Sequence, residues 1–240
     1  MKLCVVADET LFWPADDSNP SWPCLENINV MFHMSTPLGS WYFQGLPGVG
    51  ANEGFDVTFD SYPPVATTDE DYEDDDEAAN LSWADQQVTA QFRVDPNEEA
   101  LVPFLAAFAK AIALMPSLKD AVLWSPLKFY EGLLDEYKNF DPIEVSKWPD
   151  AELAWGIVYT KPSMKAFTTS PGENYIDSRQ IWWRVGRWRP DPELHQHFQK
   201  IGRDLFGEEL LEYWPSEFDD AGEGLDYRED FKYYVEFLEL

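Results

Sequence analysis

Six basic side chains, Arg179, Arg184, Arg187, Arg189, Lys200 and Arg203, fall within 25 residues that hold only Asp191 and Glu193 in opposition, a local surplus of four positive charges. Trp182, Trp183 and Trp188 are interleaved with them. A guanidinium fork binds a carboxylate or phosphate through two parallel hydrogen bonds and stacks on an indole face. The segment therefore has the chemistry to read an anionic peptide, the carboxy-terminus of a partner or a phosphorylated partner. Trp155 and Tyr159, on the aromatic segment just before it, complete the candidate set of ligand- or partner-binding residues. The inverse chemistry is open as well, because indoles, phenols and carboxylates together form the usual box for an ammonium or guanidinium ligand. An enzyme acting on a small cationic substrate would use such a box.

Other chemistries find less support. His195 and His197 are two apart on a helical segment and point to different faces, unlike an i, i+4 metal pair, and His33 stands alone on a strand. Ser170 lies outside a G-x-S-x-G elbow. Gly45-Leu46-Pro47-Gly48-Val49-Gly50 lacks the lysine and helix of a phosphate loop. Asp69 to Glu77 holds eight carboxylates in nine residues, but without the ordered spacing of a calcium loop. Self-repulsion there predicts a mobile acidic loop over 66–80. No metal and no cofactor is expected, and carboxylate pairs are too many to single out an acid and a base.

Composition bounds the partners. The protein has 240 residues with 45 Asp and Glu against 17 Lys and Arg, a formal charge of −28. That charge argues against nucleic acid, and it sets the protein's own carboxylates in competition for the arginines. With 11 Trp, 11 Tyr and 16 Phe, there is ample apolar area for a core. Cys4 and Cys24 are expected as free, buried thiols. The N-terminal segment has too short an apolar run for a signal peptide, and no run reaches the ~18 residues of a membrane span. An intracellular protein, cytoplasmic or nuclear, is the resulting expectation.

The elements that must position these residues follow from periodicity. Ile28, Val30 and Phe32 alternate as a half-buried strand, Gly39–Phe43 suggests a second and Val57–Phe59 a third. Asp95 as N-cap with Pro96 and Glu98 predicts a helix over roughly 95–115, bent near Pro103, with a stripe of Leu101, Leu105, Phe108, Ile112 and Met115 facing the core. Leu118, Ala121 and Leu123 predict a strand. Pro23–Val30 and Pro116–Leu123 share a Pro-x-Leu-x-x-apolar-x-apolar form like the strand of a leucine-rich repeat. Glu152–Tyr159, Ala166–Thr169 and Gln180–Trp188 read as an antiparallel aromatic meander. Asp191 with Pro192 starts another helix, with stripe Leu194, Phe198, Ile201 and Leu205, ending at Gly207. The tail from Glu208 is rich in carboxylates, and its aromatic residues, Tyr213 and Trp214 among them, predict that it docks.

Three stretches, WPCLENINVMFHMSTPLGSWYFQG, ELAWGIVYT and KAFTTSPGENYIDSRQIWWRVGRWRPDPELHQHFQKIG, together resemble the C-terminal region of fungal F-box proteins. The resemblance spans most of the sequence, apart from the acidic loop and the last thirty or so residues. Such proteins join a target to a cullin-based ubiquitin ligase, the F-box helices holding the adaptor and a repeat-like region the target. No Leu-Pro-x-Glu-Ile-like F-box segment is found, so what the resemblance implies is the recognition region without ligase recruitment. The expected architecture is α/β or α+β in a single domain, 1–240: irregular leucine-rich-like strand–helix units with an antiparallel aromatic sheet and flanking helices. The expected function is non-catalytic recognition of a protein or peptide. The alternative is an enzyme of fungal specialised metabolism acting on a cationic amine or guanidinium substrate.

Overall fold

A computed structural model describes residues 1–16, 18–44, 54, 95–128, 152–164, 177–186, 188–214 and 226–227. Among them the fold is mixed α/β. One seven-stranded sheet runs in the order β1 (Lys2–Val5), β2 (Asn27–Phe32), β5 (Asp120–Lys128), β6 (Glu152–Thr160), β7 (Arg179–Arg184), β8 (Leu210–Tyr213), and β9 (Asp226–Tyr227) pairs with β6. β1, β2 and β5 are parallel, β5, β6 and β7 are successively antiparallel, and β7 and β8 are parallel again. Two short strands, β3 (Phe43–Gln44) and β4 (Asp95–Pro96), form a separate antiparallel pair.

Each long parallel connection must cross the sheet, and the crossovers carry the helices. α1 (Glu98–Ala113) lies between β2 and β5, and α2 (Pro192–Gln199) with α3 (Arg203–Phe206) between β7 and β8. α1 and α2 pack on each other. Glu98 and Glu99 in the first turn of α1 and Lys110 in its last turn match the helix dipole. Its predicted stripe of Leu101, Leu105, Phe108, Ile112 and Met115 is buried throughout. The strand side chains beneath alternate as a half-buried face requires: Ile28, Val30, Phe32, Ala121, Leu123, Trp155, Ile157, Ile181 and Trp183 join the helices in one core. Aromatic contacts tie it together, with Phe12 against Phe104 and Phe108 at 5.4 and 5.0 Å and Phe43 edge-on to Trp155 at 5.7 Å. Met31, Val122, Trp124, Ala154, Val158 and Trp182 cluster on the opposite face.

Several expectations shift. Asp95 and Pro96 do not open α1; they are extended and pair with Gln44 and Phe43. Asn97 is the N-cap instead, with its amide nitrogen donating to Trp41 O at 2.8 Å and its backbone N–H to Tyr42 O at 2.8 Å. The tertiary pairing outweighs a local capping box. α1 runs unbroken through Pro103 and ends at Ala113. Of the expected strand Gly39–Phe43 only Phe43 is in one, as the start of β3, and Trp41 makes a single bridge to Ser35. Cys4 and Cys24 are free but exposed, not buried. Val57–Phe59, Ala166–Thr169 and the acidic loop at 66–80 lie outside the described residues.

The two similar segments are neighbours. β2 and β5 pair in parallel with Asn27 opposite Asp120, Ile28 opposite Ala121 and Val30 opposite Leu123, so corresponding positions of Pro23–Val30 and Pro116–Leu123 face each other. Lys119 and Glu26, also equivalent, form an ion pair at 2.6 Å. On its other side β5 meets β6, which runs antiparallel.

Candidate partner-binding site

The basic segment divides among three environments. Arg179 is fully buried, at 1% exposure. Its Nη1 donates to the carbonyls of Gln199 (3.1 Å) and Ile201 (2.5 Å), and its Nη2 to that of Glu208 (3.0 Å). Those carbonyls belong to the end of α2 and the backbone on either side of α3, which have no helical N–H to receive. Arg179 therefore clamps the crossover to the sheet and presents nothing to a partner. Burial lowers its pKa, opposed by Tyr159 and Glu208. Tyr159, beside it, is buried and its phenol is pushed up to about 12 by desolvation. Gly202, at φ +67°, lets the backbone pass over both.

Alternation sends Trp182 and Arg184 to the face opposite the helices. Trp182 stacks on Tyr213 of β8, directly across in register, at 4.0 Å and 14°. Arg184 lies over the same indole at 5.5 Å. Arg187 lies outside the described residues.

Trp183 instead enters the helix side, where a third group assembles. Its indole is fully buried and stacks on Trp214 at 4.6 Å and 4°. Arg189 covers Trp214 at 4.8 Å from the ring centroid. Since Trp183 already occupies one face of that ring, the guanidinium takes the other, giving a stack of indole, indole and guanidinium. His195 meets both indoles edge-on, at 6.0 and 6.1 Å. Its Nε2 donates to Glu212 Oε2 at 2.6 Å, and Trp183 Nε1 donates to the same oxygen at 2.9 Å. Gln199 adds a third donor to the Glu212 carboxylate at 3.3 Å. Glu212 thus ties β7, α2 and β8 at one point. Trp188 packs against Trp155 at 5.7 Å and donates through Nε1 to Glu98 Oε1 at 3.2 Å, linking this corner to the start of α1.

α2 itself starts as expected. The Asp191 carboxylate accepts from the backbone N–H of Glu193 and Leu194 at 2.8 and 2.9 Å, with Pro192 at the first helical position. Leu194, Phe198 and Ile201 are buried, but Leu205 is 52% exposed. The helix is not continuous to Gly207: the left-handed Gly202 breaks it, rotating Leu205 off the stripe.

Arg189 is the exposed cation of the group. Its Nη1 donates to Gly186 O and to Trp188 O, each at 2.8 Å. No carboxylate holds it among the described residues, whereas Arg203 pairs with Glu208 at 2.5 Å. The two carbonyls both take Nη1, and the Nε and Nη2 pair, which matches two carboxylate oxygens, makes no hydrogen bond among the described residues. Glu212, Trp214 and Gln199 carry no signal of this role in the sequence. One acid among 45 is not distinguishable from the rest, and the only hint is the aromatic pair Tyr213–Trp214 in an acidic tail.

Among the described residues no three His, Cys, Asp or Glu side chains gather as a metal site, and no helix is long and apolar enough to cross a membrane. The fold and this corner define a mixed α/β protein with an arginine–indole stack at the end of a strand–helix–strand unit. Comparison with known proteins finds no matching family model, no matching curated protein and no matching solved structure.

Proposed function

We propose that this protein is a non-catalytic recognition domain for a protein or peptide, related to the target-recognition region of fungal F-box proteins. Its leucine-rich-like part is the β2–β5 pair, and Arg189 is its anchor for a carboxylate of the partner. The observation that supports this is the Arg189 guanidinium itself: exposed, stacked on Trp214, held by two carbonyls and, among the described residues, bound to no acid of a protein with a formal charge of −28. Preorganisation of this kind lowers the ordering cost of binding. The reading of a cationic ligand has less to build on, because the indole faces of Trp182 and Trp214 already carry the protein's own Arg184 and Arg189.

The test is an array of peptides bearing acidic side chains or free C-terminal carboxylates, each paired with its amide. Carboxylate-dependent binders should lose about tenfold or more in affinity with Arg189→Glu, the scale of a charge-assisted bidentate bond, with the circular dichroism spectrum of the folded protein retained. Binders held equally by the variant, or none that distinguish acid from amide, would refute the assignment.

A further inference from the structure

The sheet ends at β8, and the side on which its backbone is free follows from the ladders behind it. Along a strand between two neighbours, alternate residues bond one neighbour and then the other. Lys161 N donates to Lys119 O, so odd residues of β5 and β6 bond each other and even residues of β6 turn to β7. Gly156, Val158 and Thr160 then bond Arg184, Trp182 and Gln180, which leaves the odd residues of β7 for β8. Ile181 is opposite Glu212 in a parallel ladder, so it bonds Leu211 and Tyr213, one on either side. The N–H and C=O of Leu210 and Glu212 point outward, and among the described residues they have no backbone partner. None of the four β8 residues is buried, against four of six in β7, as an open edge requires.

Arg189 stands at that edge. Register sets Trp214 beside Trp183, one step past Trp182 and Tyr213. Neighbouring strands lie ~4.8 Å apart, and the two indoles are parallel at 4.6 Å, so they stack across the ladder with Trp183 on the inner face of Trp214. The guanidinium on the other face, 4.8 Å from the centroid, takes the place that a side chain of one further strand would fill. An added strand therefore has room beside Leu210 and Glu212 and is stopped at Trp214. The charges agree. Glu212 is taken up by Trp183, His195 and Gln199, and Asp191 by the first turn of α2. At the start of β8 stand the exposed Glu208, bound to Arg203, and Glu209. An incoming acid is thus repelled at the start of the edge and attracted at its end.

We propose, resting on the reading of Arg189 above, that the partner is an extended C-terminal peptide that adds to β8 as a parallel strand. The parallel direction brings its last residue to Trp214, where the two carboxylate oxygens meet Nε and Nη2 of Arg189. Leu210 and Glu212 bond alternate residues of the peptide, whose body is uncharged and β-prone.

Two experiments on the full-length protein decide it. Leu210→Pro should melt within about 2 °C of Leu210→Ala, whereas Leu211→Pro should melt about 5–10 °C below Leu211→Ala, because only Leu211 donates to β7. Equal falls would mean that the Leu210 N–H is already paired, and the edge would be closed. Binding is read by isothermal titration with hexapeptides of Val, Ile, Thr and Tyr, each as the free acid and as the C-terminal amide. N-methylation along the best free acid should cost about tenfold or more at every second residue and little between them, and Leu210→Pro should weaken it severalfold. Carboxylate-dependent binding that Arg189→Glu abolishes but that shows no such alternation would keep the anchor and overturn the added strand. No preference for acid over amide would overturn both.

Discussion

Replacing Arg179 with methionine separates a structural arginine from a recognition arginine. The substitution keeps a long apolar stem and deletes three charge-assisted bonds to the carbonyls of Gln199, Ile201 and Glu208. Ile201 is fully buried, so its carbonyl has no route to water and costs about 1–3 kcal/mol. Gln199 and Glu208 are exposed residues whose carbonyls can recover hydration, so each contributes about 0.5–1 kcal/mol. Relief from burying the guanidinium offsets part of this, leaving a net loss of about 2–3 kcal/mol. For a protein of this size that corresponds to about 5–10 °C in melting temperature, read by circular dichroism, with a matching drop in the urea midpoint. Amide exchange should quicken first over α2, α3 and β8, the segment that Arg179 holds. A melting temperature within about 1 °C of the parent would refute the clamp.

Two further outcomes follow from the same corner. Gly202→Ala puts a methyl group into van der Waals overlap with Tyr159 Oη and at 3.3 Å from Arg179 Cδ, at a left-handed φ of +67°. It should cost about 2–3 kcal/mol in urea unfolding, and a loss under about 0.5 kcal/mol would show that the turn relaxes freely. His197 has a lowered pKa, first because burial disfavours the imidazolium and then because Lys110 and Lys200 repel it. The unfolded state then takes up the proton more readily than the folded one. The stability this group contributes is full above its ordinary value of 6.5 and is lost as pH falls through that value towards the folded-state pKa. The melting temperature of the parent relative to His197→Asn should therefore decline between about pH 7.5 and about pH 5; a constant or rising difference would contradict the sign.

Local patterns make much of the fold legible. The stripe from Leu101 to Met115 fixes the buried side of α1, because spacings of three and four admit only one inward face. The Asp191–Pro192 cap marks the start of α2, because a side-chain acceptor and a ring with preset φ act within three residues. The alternations at Ile28–Phe32 and Glu152–Tyr159 mark two central strands, and Pro23–Val30 matches Pro116–Leu123 at the offset that the parallel pairing uses. The break of the second helix at Gly202 is hidden because a helical stripe reads through a single turn. Asp95 looks like a cap because its true partner, Gln44, is distant in sequence.

The sequence by itself determined the charge balance, the wealth of aromatic residues, the amphipathic faces and the clustering of arginine with tryptophan, all of which are local or additive properties. Only the tertiary structure decided what those arginines and tryptophans do. Strand alternation sent Trp182 and Trp183 to opposite faces, parallel pairing of β7 with β8 brought Trp214 and Glu212 beside them from the acidic tail, and burial assigned Arg179 to backbone carbonyls while leaving Arg189 outward. Residue type sets the bonds available to a side chain, but which partner it meets depends on register between strands far apart in the sequence, and no local spacing encodes that.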